Sequence, residues 1–411
     1  MGLTHSLARY AVRHTHVMVV EVPGHWLTRA AVERHILDRG WRLAPSPGDA
    51  DVLAVCGTPR AQLAAVVTRL WDQMPGPRAR VGIAAPHLVE AALSGAEDEL
   101  LDVARQQADS RSRPDAPQSP DHDMGAAMNH GAEDGMSHSD HDAHAGHGGM
   151  TDEHGGMDHG GMQHAGHGGM DHAGHGGMNH GGMDMAPAGI PLARSGEDRD
   201  GLEMDVLHLR LGPALPYWPA GLVLRCSLQG DVIVDAEASL IDPAEHRSGY
   251  DAGQADALHQ AARRCDNAAY LLALAGWEDG ASRARRIRDS LLLDADLAGM
   301  TEDLDRLRRA VKRSWVLRWS LRRLRPLTDD DLTRQGLPSH LRGDTRDRLL
   351  SMLARAAADL AGSAVRVDRP RLVPLGSIAD LVCGLDLGAA RLVVASLDLE
   401  PFTATTEVVH A

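Results

Sequence analysis

His-Gly-Gly-Met units punctuate the middle of this 411-residue chain: His147–Met150, His154–Met157, His159–Met162, His167–Met170, His175–Met178 and His180–Met183, with His164 and His172 between them. Imidazole nitrogen suits copper, nickel and zinc, and the methionine thioether is a soft ligand that favours Cu(I). Paired glycines let the His and Met of one unit fold back on one ion. The stretch Asp121–Met185 holds more than half of the chain's 24 histidines and 16 methionines, so its chemistry is loose binding of several copper or nickel (or zinc) ions. Such a Gly-rich stretch, almost without Val, Ile, Leu or aromatic residues, cannot bury enough apolar surface to offset the entropy of ordering it. It is expected to be disordered when metal-free. A repeat-expanded linker that binds metal incidentally is the competing explanation.

The tract splits the chain into three expected regions: a domain over 1–105, a linker over 106–200 and a second domain over 201–411. This fits the usual ~100–200 residues per domain. In the first, Val17–Val22, Asp51–Val55 and Arg80–Ala85 are apolar runs of strand length, and Trp26–Gly40 and Gln62–Gln73 are helix-length segments between them. Strand, helix, strand, helix, strand predicts an α/β domain with a parallel sheet. In the second, Met204–Leu211 and Gly221–Leu228 alternate like strands, and the turn Gln229-Gly230-Asp231 leads into Val232–Ala236, a β-meander. The remainder of this region is mainly helical, which makes it an α+β domain.

A net charge of −15, with Lys312 the single lysine, argues against nucleic-acid binding. Four scattered cysteines, Cys56, Cys226, Cys265 and Cys383, form no CxxC pair and fit a reducing compartment. No continuous apolar segment with a cleavage site opens the chain, and no stretch approaches the ~18 apolar residues of a membrane span. A cytoplasmic protein, held at a membrane only by partners, is expected.

Within the first region, Pro45-Ser46-Pro47, Ala50-Asp51-Val52, Gly57-Thr58, Asp72-Gln73-Met74-Pro75 and Pro77-Arg78 together resemble the small, cluster-carrying subunit of respiratory complex I and of membrane-bound hydrogenases. The resemblance implies a flavodoxin-like sheet. In that family four cysteines hold an iron–sulfur cluster. Here residues 1–55 contain none, and Ala85-Pro86-His87 stands where one is due. No iron–sulfur cluster is expected. Cys56, at the end of an apolar strand, reads as a buried structural thiol, and His25, His35 and His87 are too dispersed to nominate a site.

In the second region, Gly212-Pro213, Pro216, Gly221–Arg225 and Gly230–Ala236 resemble the start of the large, 49 kDa-type subunit of complex I, related to nickel–iron hydrogenase large subunits. Asn267–Leu293 with Ala269-Tyr270, Leu324–Arg342 and Ile378–Leu397 continue the resemblance in order. The family's quinone-binding histidine corresponds to the turn Tyr217-Trp218-Pro219-Ala220, and its tyrosine to Gln260. Glu245-His246-Arg247 is an offset counterpart of a family His-Arg-Gly. The nickel-binding CxxC pairs are absent, and much of the family's central helical region is missing.

The resemblance implies a fusion of degenerate complex I-type subunits, paired through the high effective concentration that a linker supplies. The expected function is a non-catalytic structural or regulatory subunit of a complex I-like or hydrogenase-like membrane assembly, on the cytoplasmic face of the inner membrane. A copper or nickel buffer acting through the tract is an alternative. NADH-quinone oxidoreductase-type activity with cofactors from partner subunits is another.

Thr301–Arg325 reads as one basic amphipathic helix, N-capped by Thr301, with Leu304, Leu307, Val311, Trp315, Leu317 and Leu321 as its apolar stripe. Packing of that stripe in the core is favoured over docking on an anionic membrane or acidic partner. As for the tract, titration with Cu(I) or Ni(II) is expected to load several ions per chain, and excising Asp121–Met185 to abolish that uptake.

Overall fold

Short apolar runs build the first sheet. The computed structural model describes residues 10, 12–113, 194–197, 203–243, 254–293, 297–362 and 373–399; the His/Met tract and all fourteen of its named ligands lie outside them, as do Glu245–Arg247. Strands β1 (His16–Glu21), β2 (Arg42–Leu43), β3 (Val52–Cys56) and β4 (Ala79–Ile83) are parallel, in the order β2-β1-β3-β4. Every residue of β3 is buried, as a strand covered on both faces requires. Helices α1 (Trp26–Asp38) and α3 (Val89–Leu101) cover one face, where Val32 and Ile36 meet Leu93 and Ala96. Helix α2 (Ala61–Gln73) covers the other with Leu63 and Val67, and Val223 and Ile241 of the second half join the same core.

The two-residue β2 was not expected, since two residues carry no periodicity. Helix α4 (Val103–Ser112) also runs past the boundary placed at residue 105. A bidentate pair holds this polar helix: Arg78 Nε and Nη2 donate to Asp109 at 3.0 Å each, and the Arg78 guanidinium stacks 4.1 Å from the Trp71 ring centroid.

The second sheet is an antiparallel meander of β5 (Arg194–Glu197), β6 (Glu203–Leu211), β7 (Leu222–Gln229) and β8 (Val232–Leu240). Pairing with β6 draws β5 out of the stretch read as linker. Gly212, at φ +85°, closes the β6–β7 connection. A side chain there would stand 2.2 Å from the Leu222 carbonyl oxygen and 2.5 Å from Trp218 Nε1, which donates to that same carbonyl at 2.8 Å. Only glycine fits.

Helices α5 (Gln254–Leu274), α6 (Glu278–Leu292), α7 (Leu297–Arg313), α8 (Trp315–Leu321), α9 (Asp329–Arg334), α10 (Thr345–Leu360), α11 (Leu375–Val382) and α12 (Leu387–Ser396) complete the second half. Alanines of α5 (Ala261, Ala268, Ala269) share a core with Ala284, Ile287, Leu349 and Leu353 of α6 and α10. The meander packs Leu222, Leu224 and Ile233 on Ile378, Val382 and Val393. No helix among the described residues is long and apolar enough to cross a membrane.

The stretch Thr301–Arg325 is not one helix. Thr301 lies inside α7, and the chain leaves helical backbone at Ser314 (ψ 112°), whose Oγ caps α8 by accepting from the Leu317 N–H at 3.2 Å. Leu304, Leu307, Val311, Leu317 and Leu321 are buried as the stripe requires. The break shifts the helical phase, and Trp315 is 75% exposed.

Polar contacts tie α5 to α10 and both helices to Asp398, just past α12. Arg264 pairs with Asp359, Arg355 Nη1 meets Asp398 Oδ2 at 2.8 Å, and Asn267 Nδ2 donates to Asp398 Oδ1 at 2.9 Å. Beside them, burial and the Arg355 charge push half-buried His340 down from 6.5 to about 4. The unfolded chain therefore takes up this proton first, and stability falls as pH drops from about 6.5 towards 4, by up to roughly 2–3 kcal/mol. Thermal melts from pH 7 to 4.5 should show that loss, and His340→Gln should flatten the profile within this window.

Candidate functional site

Charges buried between the two halves define the site. On α1, Arg29 and Glu33 stand one turn apart on the face turned to the second half; α5 contributes Asp266 and, one turn on, Tyr270; α6 contributes Arg288. Arg29 Nη1 meets Glu33 Oε1 at 2.7 Å, Glu33 Oε2 meets Arg288 Nη1 at 2.6 Å, that same nitrogen meets Asp266 Oδ1 at 2.7 Å, and Asp266 Oδ2 returns to Arg29 Nη2. Two guanidiniums and two carboxylates thus alternate in a closed ring whose charges sum to zero. Arg288 and Asp266 have no exposed side-chain surface, and Arg29 and Glu33 have 4% and 5%.

Further partners brace the ring. Arg29 Nε donates to Glu21 Oε2 at the end of β1 (2.7 Å), Arg263 Nη1 to Asp266 Oδ2 (3.1 Å) and Arg288 Nε to Asp289 Oδ1 (2.8 Å). The Arg29 guanidinium lies 5.1 Å from the Tyr270 ring centroid. Burial opposes ionisation of Asp266 and Glu33, yet Arg29 and Arg288 outweigh it and hold both carboxyls below the usual carboxylate range. Burial likewise opposes the charge of Arg29, but Asp266 and Glu33 raise its pKa well above the ordinary value. All four groups are charged at neutral pH, and each is ionised because the others are.

A cavity of about 90 Å³ opens beside the ring, lined by Val17, Val19, Glu21 and Glu33 on one side and by Pro213–Trp218 and Tyr270 on the other. The chain enters it through a strained turn: Tyr217 has φ +57° and packs its ring edge-on against Tyr270, centroids 5.5 Å apart. Burial raises both phenols above their ordinary values, so they are neutral hydrogen-bonding groups. Ligand pockets usually measure ~300–1,000 Å³, and this space is far smaller. Ionised ring and neutral phenols leave none of these six groups poised to exchange a proton near pH 7. What the arrangement does well is hold two surfaces in one register.

Of the residues singled out in sequence, the structure brings Tyr217 and Tyr270 together at the cavity, with Pro45, Pro213, Pro216 and Trp218 also in its lining. Gln260 lies half-buried on α5 and does not line the cavity. His35 Nδ1 pairs with Glu90 Oε2 at 3.0 Å, and the His25 ring lies against Gly57. Among the described residues, no group of three or more His, Cys, Asp or Glu side chains could hold a metal ion. Cys56 is fully buried, and burial pushes its thiol up, away from the thiolate that a cluster needs. It is the only cysteine in this half. The residues present do not fit a thiolate-held iron–sulfur cluster. Cys265 is also buried, its thiol pushed up to about 12.

The ring itself escaped the reading of the sequence. Its one signal was charge at helical spacing, Arg29/Glu33 at i,i+4 on α1, with Arg288 one of several arginines on α6, a pattern that solvated helix faces share. Compared with known proteins, the chain matches no protein-family model and no curated protein at a significant level.

Removing one member strands a buried charge, which typically costs ~3–5 kcal/mol. Arg29→Met and Asp266→Leu are each expected to destabilise by about that much in denaturant titrations. The double variant leaves Glu33 and Arg288 as a balanced pair, so it should lose clearly less than the sum. Both carboxyls titrate below their unfolded values, so their contribution is complete above pH ~4.5 and declines only as pH falls further.

Proposed function

We propose that this chain is a structural or regulatory subunit of a complex I-like or hydrogenase-like membrane assembly, derived from the quinone-reducing module and no longer catalytic. The observation that carries it is the buried interface between the halves. The halves that resemble small and large subunits belong to one compact unit, Met1–Arg113 with Met185–Ala411, and meet through a neutral ring of charges. The turn Tyr217–Ala220, which the resemblance places at the quinone, does reach the junction of the halves. There the two tyrosines and the small volume favour packing over ligand binding.

The strand order β2-β1-β3-β4, all parallel, is that of a flavodoxin-like sheet as far as its fourth strand, and supports the small-subunit resemblance. Pro23 against Gly221 supports the pairing of the halves. A side chain at Gly221, which has φ +79°, would stand 2.8 Å from Pro23 Cγ and 2.8 Å from the Ile241 carbonyl oxygen. The contact is backbone on ring, with no space for a ligand.

A second reading, a copper or nickel buffer, rests on the His-Gly-Gly-Met repeats alone. Purification from gently solubilised membranes through an epitope tag, followed by mass spectrometry, separates the two. The subunit reading predicts recovery with antiporter-like membrane subunits, unchanged when Asp121–Met185 is excised. Recovery alone, loaded with metal, contradicts it.

A further inference from the structure

We infer that α8 and its flanks form a docking surface for an anionic phospholipid bilayer, a direct lipid contact that goes beyond attachment through partner subunits. Three side chains carry its apolar part: Trp315, Val316 and Trp319, 75%, 49% and 81% exposed. Trp315 and Trp319 lie one helical turn apart and face solvent together, while Leu317 and Leu321 anchor the opposite side of α8 in the core. Trp315 continues the apolar stripe of α7 in sequence, and the break at Ser314 turns it outward.

The segment that carries the indoles has charge of one sign, with Glu302 and Asp305 near Lys312 at its edge. From Arg306 to Thr328 the sequence has no carboxylate, in a chain of net charge −15. Lys312, Arg313, Arg318 and Arg322 are exposed, and none makes an ion pair with the described residues. Asp344 accepts the backbone N–H of Arg323 at 2.8 Å but is committed, with Asp347, to the capping box of α10. Exposed guanidiniums around two exposed indoles match the headgroup zone of a bilayer. Indoles settle at that level and guanidiniums meet phosphates. The acidic charge elsewhere on the chain is repelled by an anionic surface, so the patch also sets the orientation of docking.

The test is partition of the full chain onto vesicles of phosphatidylcholine alone or mixed with phosphatidylglycerol, read by co-sedimentation and by quenching of indole fluorescence with brominated acyl chains. Binding is expected only to the phosphatidylglycerol vesicles, weakening with salt. Arg318→Gln and Arg322→Gln should each lower partition roughly fivefold, the equivalent of about 1 kcal/mol per cation near an anionic surface. Trp315→Ser with Trp319→Ser should abolish the quenching and weaken binding at least as much, with an unchanged melting temperature because both side chains are exposed. Equal binding to both vesicle types, quenching that survives in the Trp double variant, or binding only to a co-purified acidic protein overturns the proposal.

Discussion

Four charges removed from water can persist only where they neutralise one another, and in this protein each half of the chain supplies one cation and one anion of the set. Arg29 and Glu33 arrive on α1, Asp266 on α5 and Arg288 on α6. Separating the halves leaves each side with one cation and one anion of the ring, but breaks two of its four links, Glu33–Arg288 and Asp266–Arg29. The Asp266–Arg288 pair spans two helices of the second half and depends on their packing. Such a ring is not by itself a strong source of stability, since desolvation offsets much of the Coulomb attraction. Its value is in geometry, because a shifted register strands charge at a site that water does not reach.

The remainder of the interface follows from that register. With α1 fixed against α5 and α6, β1 comes to face the turn at Tyr217, Pro23 lies against the bare backbone of Gly221, and Val223 and Ile241 enter the core beneath α2. The space left over is about 90 Å³. The turn at Tyr217 is thereby packed against the Tyr270 ring and the Arg285 guanidinium.

Much of the architecture was legible in the residues. VMVVEV and DVLAV are short apolar runs that fit buried strands, alternating with helix-length segments as a parallel sheet requires, and the alternation through Met204–Leu211 and Gly221–Leu228 marked the meander. Tyr217 and Tyr270 were singled out through resemblance, though not as a pair. The ring was invisible because a charged residue at helical spacing looks the same whether it faces water or a partner 237 positions away, as Arg29 faces Asp266. Trp315 was misplaced because the apolar stripe of α7 and α8 is continuous in sequence, whereas one extended residue, Ser314, rotates everything after it. Most of the polar helix α4 falls beyond the domain boundary expected at residue 105, because Arg78–Asp109 pairing, not apolar periodicity, holds it.

The most direct test is to place a protease site within Asp121–Met185, cleave the purified protein there, and pass it through a sizing column. If the ring and its surroundings hold the halves together, the two fragments elute as one species at micromolar concentration, and Asp266→Arg, which sets a third cation between Arg29 and Arg288, separates them. Fragments of the unaltered protein that elute apart as folded species would show that covalent linkage alone keeps the halves together, and the interface would lose its place at the centre of the structure.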